Sequence, residues 1–120
     1  MKILIAEDEP EIAQMVKFKL EREGFDVIWE SNGGSAFKAA QDEHPDLILL
    51  DIMMPVMDGL QVLKKLKSDE KLKHIPVIML TSKGQERDVV TGIEGGARDY
   101  VVKPFRPAEL LARIKQILNN

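Results

Sequence analysis

Four stretches of this chain place ionisable or hydroxyl side chains directly after a short apolar run. Glu7-Asp8-Glu9 follows Ile3 to Ala6, Asp51 follows Leu47 to Leu50, Thr81-Ser82 follows Val77 to Leu80, and Lys103-Pro104 follows Tyr100 to Val102. Such runs, bounded by breakers, read as strands, and the wholly apolar ones as strands buried on both faces. Each polar group then stands at the carboxyl end of a strand, where ligands collect in open parallel sheets. If the first and third strands are neighbours, carboxylates converge on one point. Like charges held close require a cation or a proton between them. An oxygen-only set, with no His or Cys nearby in sequence, points to a hard cation such as Mg²⁺, which keeps waters and leaves room for a phosphoryl oxygen. Lys103 adds positive charge and Thr81 a hydroxyl. Together these make a phosphoryl-transfer site with Asp51 as the nucleophile.

Each residue alone has a plainer explanation. Glu7, Asp8 and Glu9 favour the positive N-terminus of a helix that Pro10 opens. Asp51 alone is a turn residue, Thr81 or Ser82 an N-cap, and Lys103 a solvated charge. The coincidence decides against these readings, because the opposite strand ends carry no comparable set.

Between the strands lie stretches of helical period: Pro10 to Glu23, Ser35 to Glu43, Gly59 to Ser68, Glu86 to Glu94 and Pro107 to Leu118. In the first, Ile12, Val16 and Leu20 recur at helical spacing, and Gly24 suits the position just past its end. Val27 to Trp29 and Tyr100 to Val102 are short and flanked by charge, as edge strands often are. Strand–helix alternation of this kind predicts an α/β fold, a parallel five-stranded sheet with helices on both faces and right-handed crossovers.

The chain has 120 residues, which suits one domain with a core of its own. It has no cysteine, so no disulfide framework or thiolate metal site is available. No apolar run approaches a membrane span, and the four apolar residues after Lys2 are too few for a signal-peptide core. A cytoplasmic protein is the expectation. Seventeen basic and 20 acidic side chains give a net charge of −3, with no electrostatic footprint for nucleic acid.

Read together, these residues resemble the receiver domain of bacterial two-component response regulators, the CheY-like domains. The marks are Glu7-Asp8, Asp51 with Met54-Pro55 and Gly59, Thr81, and Lys103-Pro104-Phe105, and the likeness extends over residues 1–120. It implies a flavodoxin-like strand order 2-1-3-4-5. It implies that Asp51 takes a phosphoryl group from a phosphohistidine of a sensor histidine kinase. Asp8, Asp51 and the Met53 backbone carbonyl would bind Mg²⁺, with Glu7 reaching it through water. Lys103 would pair with the phosphoryl group, its bond to Pro104 being cis, and Thr81 and Tyr100 would form the switch pair. The resemblance also implies kinase docking by Ile12, Met15 and Lys19 beside Phe105. It implies a switching face made by the fourth helix, the last strand and the last helix, through which many relatives dimerise. Asp99, Arg113 and Glu109 match charged positions of that face, but Val89 stands where a basic partner is expected, so a weak phosphorylation-dependent homodimer is predicted. The domain would be a phosphoacceptor and not a metabolic enzyme. Met53 and Lys83 would flank the water that hydrolyses the acyl phosphate.

Other features carry blander readings. Ile12, Met15 and Phe18 exceed one buried stripe, and the alternatives are a broad core face or partial exposure. The lysines from Lys64 to Lys73 read as a solvated face, His44 and His74 as loop residues, and Trp29 as packing at a sheet edge. A flavin-binding module of the same topology needs a Gly/Ser/Thr-rich phosphate loop after the first strand, where this chain has acids. An aspartyl phosphatase needs an Asp-x-Asp there, and none occurs.

Overall fold

Burial on both faces is what makes the apolar runs strands. Ile3 to Ala6, Leu47 to Leu50 and Val77 to Leu80 are all excluded from solvent. The computed structural model describes residues 1–82 and 84–119. In it β1 (Lys2–Ala6), β2 (Asp26–Glu30), β3 (Leu47–Asp51), β4 (Val77–Ser82) and β5 (Asp99–Lys103) alternate with α1 (Pro10–Arg22), α2 (Gly33–Glu43), α3 (Gly59–Ser68), α4 (Glu86–Glu94) and α5 (Pro107–Leu118). The sheet is parallel in the order β2-β1-β3-β4-β5, and the two charge-flanked strands lie at its edges. This is the flavodoxin-like order expected from the sequence.

Side chains leave a strand alternately on its two faces, so each buried strand feeds two cores. Leu4, Ile48, Leu50 and Met79 meet Ala36, Ala40, Val62 and Leu66 of α2 and α3. Ile3, Leu49, Ile78 and Leu80 meet Val16, Leu20, Leu110 and Ile114 of α1 and α5. Helix α4 differs, burying only Gly92 among its residues. It is the helix held least firmly by the core, and elements with few buried apolar contacts open at low free-energy cost.

Helix α2 begins at Gly33, earlier than the expected Ser35. Asn32 caps it, its Oδ1 accepting from the Ser35 N–H at 2.8 Å, and this cap outweighs the poor helix propensity of Gly33 and Gly34. Asp58 and Gln61 form a reciprocal capping box at the start of α3, with bonds of 2.9 and 3.0 Å. Gly59 follows because its Cα lies against the end of β3. A Cβ there would collide with the Asp51 carbonyl and come within 2.9 Å of Ile52 Cα. The glycine lets α3 start where the Asp51 strand stops, so it fixes that strand end against the helix.

Gly59→Ala should therefore lower unfolding stability by about 1–3 kcal/mol, the usual cost of forcing extra volume into a packed site. Urea denaturation checks this; an unchanged midpoint would mean that the contact has room to relax.

Candidate functional site

Register brings the carboxylates together. Ala6 pairs with Leu50 across β1 and β3, so the next residues, Glu7 and Asp51, stand side by side. Asp51 pairs with Leu80, Thr81 with Val102, and Ser82 with Lys103, which carries the level across the sheet to β5. Glu7, Asp51 and Thr81 are buried although polar, while Asp8 is exposed. One ligand oxygen from each of Glu7, Asp8 and Asp51 lies within 4.8 Å of the others.

Lys103 closes the cluster from the far side of β4. Its Nζ lies 2.9 Å from Asp51 Oδ2, 2.8 Å from Glu7 Oε1 and 3.7 Å from Glu9 Oε1. The peptide bond from Lys103 to Pro104 is cis. Asp51 Oδ1 accepts from the Met53 N–H at 3.2 Å, and Glu7 Oε2 accepts from the Glu9 N–H at 3.2 Å. Glu7 Oε1 is near Lys103 in distance but not aligned with it as a hydrogen bond, and among the described residues this buried oxygen has no other partner. Buried polar atoms without a partner are rare and call for one.

The electrostatics follow. Burial, then hydrogen bonding with Asp51, pushes the Glu7 carboxyl up to about 8, against the opposing pull of Lys103. Burial alone would lower the Lys103 ammonium, but its ion pairs with Glu7 and Asp51 outweigh that and raise it. Among the described residues, one ammonium thus serves two buried carboxylates, with a third at the rim. The set is all oxygen, partly desolvated and short of positive charge, which suits a hard divalent cation.

The other expected residues fall around this centre. Thr81 points its hydroxyl at Gln85 Oε1, 3.0 Å away. Tyr100 is 38% exposed and borders a cavity of about 360 Å³ between α4 and β5, lined also by Thr81, Gln85, Val89, Val90 and Val102. Ile12, Met15 and Phe105 line a groove of about 80 Å³ with Lys103 and Pro104; Lys19 is not among its lining residues. Met15 and Phe18 are exposed, so the apolar excess of α1 is not all core, and the Arg22 guanidinium covers the Phe18 ring. Arg113 bonds Asp99 at 2.8 Å and lies 3.6 Å from Glu109, within the chain. Met53 presents an exposed side chain beside Asp51, and Lys83 lies outside the described residues.

Three features had not been read from the sequence. Trp29 is more than edge packing: its Nε1 donates to the Glu7 carbonyl at 2.8 Å, and the Glu7 N–H donates to the Glu30 carbonyl at 3.1 Å, so β2 ties down the acidic loop. Lys67 is not part of a solvated face. Its ammonium donates to the carbonyls of Lys73 and Ile75, each at 3.0 Å, and burial lowers its pKa. Gln85 holds Thr81. The first two are bonds from a side chain to a backbone carbonyl and the third joins two side chains across a turn, none of which local periodicity reports.

Comparison with known proteins agrees with this geometry. Residues 3–115 match the family "Response regulator receiver domain". The chain is 48% identical over 117 residues to the alkaline phosphatase synthesis transcriptional regulatory protein PhoP of Bacillus subtilis, covering 98% of this chain and 48% of that protein. It is 47% identical over 117 residues to the phosphate regulon transcriptional regulatory protein PhoB of Escherichia coli, covering 98% and 51%. The chain thus spans about half the length of the curated relatives it matches. Among solved structures, a putative response regulator from Chloroflexus aurantiacus superposes with a TM-score of 0.93 at 33% identity, covering 99% of this chain and 98% of that one. The chemotaxis response regulator CheY4 of Vibrio cholerae gives 0.91 at 33% identity, covering 98% of each.

The Glu7 carboxyl yields a pH prediction. Its folded value of about 8 stands above the ordinary 4.5, so the fold holds this proton more tightly than the unfolded chain does. That stabilisation is complete below pH 4.5 and is lost as pH rises through about 8. With divalent cations chelated, wild type should lose stability over that window relative to Glu7→Gln, which keeps the shape without the charge. Parallel pH-dependent urea titrations of both proteins would contradict this.

Proposed function

The chain belongs to the response regulator receiver family, and from that premise we propose that Asp51 is the phosphoacceptor through which a sensor histidine kinase signals to it. The observation that carries the reading is the buried Asp51 carboxylate, 2.9 Å from Lys103 Nζ and clustered with the oxygens of Glu7 and Asp8. An Asp51 oxygen forms the new bond to phosphorus as the P–N bond of the kinase phosphohistidine breaks. The electron pair leaves with the imidazole nitrogen, which then takes up a proton. Asp8, Asp51 and the Met53 carbonyl would hold Mg²⁺, with Glu7 engaging it through water; bound there, the ion supplies positive charge against the phosphoryl oxygens. Lys103 then releases Asp51 and pairs with the phosphoryl group. Met53 flanks the approach of the hydrolytic water and helps set the lifetime of the modified state.

Ile12, Met15 and Phe105 offer the kinase an apolar seat beside Lys103 and Pro104, and Lys19 of the same helix α1 adds a charge for the partner. Modification draws the Thr81 hydroxyl to the phosphoryl oxygens and the Tyr100 ring inward, reshaping the α4, β5 and α5 face. Asp99, Glu109 and Arg113 lie on that face and support a weak homodimer of the modified form. Their pairing within one chain fits a monomer before modification, since exposed ion pairs are worth only about 0–1 kcal/mol each. Residues 1–120 form one receiver domain that acts in the cytoplasm; among the described residues no helix is long and apolar enough to cross a membrane. Because the relatives PhoP and PhoB are named as transcriptional regulatory proteins, we place this receiver in the control of transcription.

Incubation with a small phosphodonor should add one phosphoryl group, seen by intact-protein mass spectrometry, only when Mg²⁺ is present. Asp51→Asn should abolish it, and labelling of that variant at the wild-type rate would overturn the assignment. In the same samples, sedimentation should show self-association of modified wild type that Arg113→Glu removes.

A further inference from the structure

Thr81 is not a free hydroxyl waiting for a ligand. The Ser82 backbone N–H meets the Gln85 side-chain amide at 2.6 Å, and because a backbone N–H only donates, the atom it meets is the amide oxygen. The Thr81 hydroxyl lies 3.0 Å from that same oxygen and must therefore be the donor to it. Its alternative acceptor, the Ser82 carbonyl, is farther at 3.4 Å. Thr81 is buried, whereas Ser82 is exposed and Gln85 half-buried at the N-cap position of α4. Gln85 thus spends its one acceptor on the threonine and on the turn that launches α4.

We propose that Gln85 is a positioning residue that latches the Thr81 hydroxyl toward α4 and so opposes the switched state. The inference rests on the reading of Thr81 as the residue that turns to a modified Asp51. A hydroxyl has one proton, so Thr81 donates either to Gln85 or to a phosphoryl oxygen. Choosing the phosphoryl group frees Gln85 Oε1 and loosens the start of the helix that is least anchored to the core. The latch therefore couples the site to α4 and lowers the apparent affinity for any phosphoryl mimic, because only the unlatched fraction binds with full strength. Removing the acceptor leaves the buried Thr81 hydroxyl only the Ser82 carbonyl at 3.4 Å, while the Ser82 N–H, at an exposed residue, takes water instead.

The test is titration of beryllofluoride with Mg²⁺, the bound fraction read by ¹⁹F NMR. Gln85→Met keeps the side-chain length and removes the acceptor, and should tighten binding by about two- to tenfold, the scale of one neutral hydrogen bond. A residue that merely holds the loop in shape would give the opposite sign, with looser binding on substitution. Gln85→Ala serves as a second variant if the methionine packs poorly. In a Thr81→Val background, Gln85→Met should change nothing, because the donor is gone. Unchanged or weaker binding by both Gln85 variants, or equal tightening with and without the threonine hydroxyl, overturns the latch. Failure of wild type to bind beryllofluoride at all, or equal binding by Asp51→Asn, overturns the phosphoacceptor reading and the latch with it.

Discussion

A single ammonium, Lys103 Nζ, stands 2.8 Å from Glu7 and 2.9 Å from Asp51, two carboxylates delivered by adjacent strands and buried there. Two such charges within 4.8 Å of each other repel by about 3 kcal/mol or more at an effective dielectric constant near 20. At the same dielectric constant Lys103 attracts each by about 6 kcal/mol, so it more than offsets the repulsion, and what opposes ionisation is the burial of the charges. The cost of burial therefore decides, and it pushes the Glu7 carboxyl up to about 8 against the pull of Lys103. It also explains why the end of the sheet is poised to take up a cation. Much of the remaining structure serves to keep these groups in place: the β1–β3 register, the Gly59 contact behind Asp51, and the Trp29 bond to the Glu7 carbonyl.

The opposite quality marks the far edge of the sheet. Helix α4 buries only a glycine, Tyr100 stands largely outward, and a cavity of about 360 Å³ separates them. A receiver needs this contrast, with a site rigid enough to fix charges and a neighbouring face soft enough to change. The Thr81–Gln85 bond joins the two regions, spanning from a buried strand end to the first turn of the loosest helix.

Much of this was legible in the chain because its signals are local or periodic. Unbroken apolar runs specify strands buried on both faces, and a polar residue placed directly after each must emerge at one edge of a parallel sheet. Asp51, Glu7 and Lys103 were therefore identifiable before any coordinate. What escaped was of another kind. Asn32 was overlooked as a cap because the two glycines after it are poor helix formers. Trp29, Lys67 and Gln85 act through hydrogen bonds to backbone or hydroxyl partners whose direction depends on the folded path of the chain. Lys67 sits inside a run of lysines, and only the folded path of the chain brings the Lys73 and Ile75 carbonyls within its reach. Residue type and spacing do not encode such geometry.

The claim that this charge-deficient strand end is a divalent cation site is tested most directly by anomalous diffraction from crystals soaked in Mn²⁺, a hard oxygen-seeking ion that replaces Mg²⁺. A single strong anomalous peak should lie within about 2–2.5 Å of oxygens from Asp8 and Asp51, the range for such ions, with Lys103 retained on Asp51 or Glu7. Absence of a peak among Glu7, Asp8 and Asp51 at millimolar Mn²⁺, or a peak only at surface acids elsewhere, would contradict it.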